Sequence, residues 1–64
     1  MQSQRELDNQ RAVRILNMTS DMHLIVSKLY EHLVDSEYDK AMVDAKSLIR
    51  EIRLIQKLIE DEDF

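Results

Sequence analysis

Apolar residues recur along two segments of the chain at the spacing of an α-helix. The first stripe advances in alternating steps of three and four residues and consists of Ile15, Met18, Met22, Ile25 and Leu29. The second stripe follows the same pattern and consists of Ala41, Ala45, Leu48, Ile52, Ile55 and Ile59. Because residues three and four apart lie on one helix face, each stripe predicts an amphipathic helix.

The two stripes are out of phase, which predicts a turn between them. Written as heptads, position a falls at 15, 22 and 29 in the first stripe but at 45, 52 and 59 in the second, where an unbroken register would require 43. Coiled coils accommodate insertions of three or four residues, whereas the two registers here differ by two residues, so one continuous coiled coil is not expected. The turn is expected at about 35–36, where Asp35 or Ser36 can cap the second helix.

One helical domain over 1–64 is therefore predicted, with helices at about 4–34 and 37–60 and an acidic tail at 61–64. Ser3 and Glu6 have the spacing of a capping box at the start of the first helix. The expected fold class is all-α, an antiparallel two-helix hairpin. A three-helix bundle is the alternative, because Thr, Ser and Asp within residues 17–21 favour helix caps and could break the first helix.

Composition supports the helical interpretation and removes several classes of site. The 64 residues include no glycine, proline or cysteine. Phosphate-cradling loops depend on glycine, whereas disulfides and thiolate metal sites need cysteine. With 34% charged and 44% hydrophobic residues, the chain has the composition of a nearly continuous helical protein.

Apolar residues away from the stripes predict that the hairpin associates with another chain. Four of them, predicted to bind a partner, are Leu16, Leu24, Tyr30 and Leu54. Large apolar patches left in water usually mark interfaces, and chains this short often need oligomerisation to fold. We expect a dimer that forms an antiparallel four-helix bundle, or a complex with a different protein. The predicted oligomer core consists of Ile15, Met18, Met22, Ile25, Leu29, Leu48, Ile52, Ile55 and Ile59.

The charge pattern narrows the partners. A net charge of −4 argues against binding to nucleic acid in general. No apolar run reaches the roughly 20 residues of a membrane span, and the N-terminus lacks a signal-peptide core, so a cytoplasmic protein is expected. Four cations at 4-3-4 spacing form a strip on the second helix: Lys46, Arg50, Arg53 and Lys57. The strip is either a solvated face or a site for an anionic ligand.

The remaining chemistry-bearing residues favour structural roles. His23 and His32 fall on different helix faces, so they cannot share a metal ion, and His32 is expected near the interior seam beside Glu31 and Asp35. There is no cysteine nucleophile, and no serine has a histidine base aimed at it. We therefore expect no enzymatic activity, no cofactor and no metal.

The acidic C-terminus that ends in Phe64 resembles the tails of single-stranded-DNA-binding proteins, although the usual proline before the aromatic residue is missing. This resemblance implies docking of the Phe64 ring in an apolar pocket of a partner, and a simple acidic terminus is the other interpretation.

In outline the chain resembles the Rop family of plasmid copy-number regulators, and also the small hairpin co-chaperones of type III secretion needle subunits. The resemblance lies in length, two helices and acidic turn and tail. No residue motif is shared, so no functional residue is carried over. The expected function is that of a small non-enzymatic interaction protein, an adaptor, regulator or inhibitor of the compact kind that phages and plasmids encode. The alternative is an oligomer that binds a nucleotide, another anionic ligand or RNA on the cation strip.

Overall fold

The computed structural model describes residues 4–62, with side chains described from residue 9 onwards. Two helices, α1 (Gln4–Val34) and α2 (Tyr38–Glu60), pack against each other as an antiparallel hairpin, which confirms the predicted architecture. The three-helix alternative is wrong, because α1 continues through residues 17–21. Within that stretch the Thr19 hydroxyl donates to the carbonyl oxygen of Ile15 at 2.9 Å, so it bonds inside the helix instead of capping a new one. The predicted capping box at Ser3 lies outside the described residues.

The turn ends α1 with a Schellman motif, in which two backbone amides return to carbonyls of the last helical turn. Glu37 N–H donates to His32 C=O at 2.8 Å, and Ser36 N–H donates to Leu33 C=O at 3.1 Å. Ser36 takes the left-handed conformation that this motif requires, with φ of 58°. The prediction that Asp35 or Ser36 caps α2 is wrong. Both residues serve to end α1, and the N-cap of α2 is Glu37, whose side chain makes no capping hydrogen bond.

Packing between the helices follows a heptad seam. We label positions so that a and d face the opposite helix. In α1 the seam side chains are half-buried and are Met18, Met22, Ile25, Leu29 and His32. In α2 the seam consists of Ala41, Asp44, Leu48, Glu51, Ile55 and Leu58. Ala41 and Leu58, 4% and 9% exposed, are the only buried hydrophobic residues in the part of the chain with described side chains.

The apolar stripe and the packing seam of α2 are therefore different lines along the helix. Ala41, Leu48 and Ile55 belong to both lines. Ile52 and Ile59 remain exposed beside the seam. At the closed end of the hairpin, Asp44 turns inward and bonds to His32. At the open end, Leu58 fills the seam next to the exposed Ile59. These two features fix the rotation of α2 and place Ile49, Ile52 and Ile59 on one flank of the seam.

The hairpin is a single layer of two helices. It extends 53 × 19 × 10 Å along its principal axes. Neither α1 nor α2 is long and apolar enough, over residues 4–62, to cross a membrane.

Candidate functional site: the two sides of the hairpin

The antiparallel arrangement gives the layer two distinct sides. In α1, position a falls at 15, 22 and 29, and in α2 it falls at 41, 48 and 55. Both helices are right-handed and run in opposite directions, so the b and e positions of both lie on the same side of the layer. The c and g positions of both lie on the other side.

We call the side formed by the b and e positions the uncharged side. Between residues 12 and 59 it carries no Asp, Glu, Lys or Arg at any of these positions. It consists of Ala12, Leu16, Thr19, His23, Val26, Tyr30, Leu33, Tyr38, Met42, Ala45, Ile49, Ile52, Gln56 and Ile59. The large hydrophobic residues among them are all exposed. The uncharged side is thus an apolar surface that the hairpin itself does not cover.

The opposite side, which we call the charged side, has the reverse character. Its c and g positions are Arg14, Asn17, Asp21, Leu24, Lys28, Glu31, Lys40, Val43, Ser47, Arg50, Leu54 and Lys57. Seven of these twelve residues carry a formal charge. Charged side chains are well solvated, so the charged side can remain exposed to water over most of its length.

The four residues predicted to bind a partner do not form one cluster. Leu16 and Tyr30 lie on the uncharged side, whereas Leu24 and Leu54 lie on the charged side. All four are exposed. The structure therefore divides the predicted site between two surfaces. Residues of the predicted oligomer core are likewise divided, with Met18, Met22, Ile25, Leu29, Leu48 and Ile55 half-buried in the seam and Ile15, Ile52 and Ile59 exposed.

A groove opens on the charged side, at the open end of the hairpin. Its volume is about 670 Å³, within the range of ligand pockets. Its lining includes the apolar residues Val13, Met18, Leu54 and Leu58, together with polar residues such as Asn17 and Asp21. Of these residues, Met18 belongs to the predicted oligomer core and Leu54 to the residues predicted to bind a partner. The groove arises where α1 extends past the end of α2, which only the paired helices reveal.

The predicted cation strip is exposed along the outer edge of α2. Lys46, Arg50 and Arg53 line a second, smaller groove of about 320 Å³ together with Ile49. Lys57 differs from these three, because its Nζ lies 3.7 Å from an Asp61 carboxylate oxygen one turn later. The structure thus brings three of the four cations together around a shallow concavity.

His32 lies in the seam, as predicted, but with different partners. Its Nδ1 bonds to the Asp44 carboxylate, and its Nε2 lies 3.9 Å from Glu37 Oε2. Glu37 also pairs with Lys40 at 3.1 Å. Glu31 and Asp35, the predicted neighbours, do not contact the ring in this way; both are exposed. No group of three His, Asp or Glu residues able to hold a metal ion occurs in the described part of the chain.

Comparisons with known protein families, with curated proteins and with solved structures find no match to this chain. The Phe64 ring, which the resemblance to single-stranded-DNA-binding tails would dock in a partner, lies outside the described residues.

Proposed function

We propose that this chain is a small non-enzymatic interaction protein, an adaptor, regulator or inhibitor, that acts through its helix faces and completes its core by dimerising into a four-helix bundle. The observation that carries the proposal is the single layer. The hairpin is 10 Å thick in one direction, and it buries only Ala41 and Leu58 among the hydrophobic residues with described side chains. Stable domains stack two layers around one core, so a second layer is what this hairpin lacks.

A second hairpin stacked on the uncharged side supplies that layer, and the b and e positions that it covers between residues 12 and 59 hold no Asp, Glu, Lys or Arg. Seam residues such as Ile25, Leu48 and Ile55 are half-buried within one hairpin and would become interior in a bundle. The charged side would remain outside. It would present Leu24, Leu54 and the open-end groove to a different protein, which is where we place recognition of a partner.

The mass of the protein in solution tests this proposal. Sedimentation at concentrations from micromolar to millimolar, with circular dichroism on the same samples, should show a helical species of twice the chain mass that dissociates and loses helix on dilution. A chain that stays monomeric and fully helical at every concentration would contradict self-association. In that case a single layer is stable alone, and the hairpin does not need a second layer to complete its hydrophobic core.

A second candidate function is supported by the cation groove. The ammonium group of Lys46 and the guanidinium groups of Arg50 and Arg53 lie around one concavity and can donate hydrogen bonds to phosphate oxygens. An oligomer that binds a nucleotide or RNA is therefore the alternative. Polyphosphate is a suitable probe, since it carries the phosphate groups that nucleotides and RNA share but has no bases. Arg50→Glu should abolish binding in low salt, while Arg11→Glu on α1 makes the same change in net charge away from the groove. Equal losses in both variants, or no binding to the parent chain, would reject this function.

A further inference from the structure

The uncharged side differs from the rest of the molecule in a way that composition does not explain. Charged residues make up 34% of the chain, and seven occur among the twelve positions of the charged side. None occurs among the fourteen positions of the uncharged side. Burying a charge without a partner is costly, so a surface free of charges on both helices has the composition of a buried surface.

The distribution of residues within the uncharged side resembles that of an interface. The e positions lie closest to its midline and, apart from Tyr38 at the start of α2, are apolar or small, including Val26, Leu33 and Ile52. The b positions lie nearer the edges and include the residues with polar tips, His23, Tyr30 and Gln56, beside the apolar Leu16, Met42 and Ile49. An apolar centre with a polar rim is the usual arrangement of a protein interface.

Thr19 is the one hydroxyl-bearing aliphatic side chain on this surface, and its hydrogen bond is made internally. Its Oγ1 donates toward the carbonyl oxygens of Ile15, at 2.9 Å, and of Leu16, at 3.1 Å. The donor therefore needs neither water nor a partner group. Thr19 can be buried at the midline without leaving an unsatisfied hydroxyl donor.

We propose that the uncharged side docks against the uncharged side of a second copy of the same chain. An outline of 53 by 19 Å offers on the order of 1,000 Å² per layer, close to the roughly 800 Å² that each partner contributes to a standard interface. A two-fold axis places the same surface on both subunits, and a surface without charges can face itself without like-charge repulsion. The charged side lacks this property. This inference rests on the proposed dimer and names the face that forms it.

Two pairs of residues allow the inference to be tested with matched substitutions. Ile52 and Leu54 are neighbours on α2, 41% and 47% exposed, but lie on opposite sides of the layer. Val26 and Leu24 form the corresponding pair on α1, 48% and 57% exposed. Ile52→Glu and Val26→Glu should each weaken the dimer at least about 10-fold in sedimentation, equivalent to about 1.4 kcal/mol. Leu54→Glu and Leu24→Glu should change the dissociation constant by less than about 3-fold.

A second measurement avoids substitutions that could unfold an obligate dimer. The chain has no cysteine, so a single introduced one carries a unique spin label. Gln56→Cys places the label on the uncharged side, and Arg50→Cys places it on the charged side. Each labelled chain is mixed with an isotopically enriched parent chain. The label at 56 should broaden the amide signals of residues such as Val26 and Ile52 in the other copy, while the label at 50 should leave them sharp.

The outcomes separate this inference from the proposed function. A dimer that dissociates with Leu54→Glu and resists Ile52→Glu, or broadening from the label at 50 and not from 56, would overturn the choice of face while self-association stands. A parent chain that is monomeric throughout would overturn both. Dissociation by Ile52→Glu together with broadening from the label at 56 supports both.

Discussion

His32 and Asp44 hydrogen-bond to each other across the hairpin, and their bond joins the last turn of α1 to the second turn of α2. The carboxylate can only accept, so the imidazole Nδ1–H donates. Both side chains are partly buried, 26% and 13% exposed, so water competes poorly for either group. The bond links α1 to α2 directly across the seam, and it sets the rotation of α2 described above.

Removing either partner of this bond should destabilise the protein. His32→Ala and Asp44→Ala are each expected to lower the free energy of unfolding by about 1–3 kcal/mol, the range for a hydrogen bond to a charged group. Urea denaturation followed by circular dichroism measures the change. The double variant should lose clearly less stability than the sum of the two single losses, because the hydrogen bond is already absent when the second partner is removed. Glu31→Ala, which removes an exposed carboxylate next to His32, should cost within about 0.5 kcal/mol. Additive losses would mean that the two residues do not interact.

Ser36 holds a conformation that favours glycine, so Ser36→Gly should stabilise the chain. Its φ of 58° places Cβ near the following carbonyl, which costs roughly 1–2 kcal/mol for a residue with a side chain. Part of that gain is offset by the greater freedom of glycine in the unfolded state. The net gain should be about 0.5–1 kcal/mol, or about 2–8 °C in Tm.

Ser27→Gly is the matched control for this substitution. Ser27 is exposed in the middle of α1, where glycine is a poorer helix former than serine, and the same change should cost about 0.5 kcal/mol. If both variants lose stability, then Ser36 is not held in the left-handed region.

The sequence pattern predicted the hairpin because its main signals are local. Helical spacing and the two-residue slip near Asp35 depend on no distant contact. The rotation of α2 could not be predicted in the same way. The predicted stripe of α2 includes Ala45, Ile52 and Ile59, and maximum burial of apolar residues would have turned all three inward. The structure instead turns Asp44 inward, since it finds His32 twelve residues earlier in the chain. Such a pairing is invisible to a pattern read along one helix.

The sequence pattern predicted apolar residues that lie exposed on the hairpin, but it did not predict how they are arranged. Exposed apolar residues such as Leu16 and Leu54 were expected to contact partners, and both are exposed. Which side of the layer each residue occupies depends on where the seam runs. The structure places Leu58 in the seam, whereas the sequence pattern predicts the next residue, Ile59, at this place. The absence of charge from the uncharged side emerges only once the seam is known, because the seam decides which flank of each helix lies on which side of the layer.

Leu58 and Leu54 should differ sharply in their contribution to folding. Leu58 is buried in the seam, whereas Leu54, one turn earlier, is 47% exposed beside the open-end groove. Leu58→Ala is therefore expected to lower the free energy of unfolding by about 2–4 kcal/mol, typical of a buried leucine that leaves a cavity. Leu54→Ala should cost about 1 kcal/mol or less, since an exposed side chain has little burial to lose. Similar costs at both positions would place Leu54 in a folded core and remove it from the proposed partner surface.

The melting temperature should depend on protein concentration, because folding and association are coupled in a chain that completes its core by dimerising. Mass action stabilises a folded dimer as concentration rises, so Tm measured by circular dichroism should increase by several degrees between about 5 and 500 µM. Ile52→Glu should flatten this dependence or lower Tm throughout, whereas Leu54→Glu should preserve the slope, since the two residues lie on opposite sides of the layer. A Tm that is constant over this range in the parent chain would show that the hairpin folds alone.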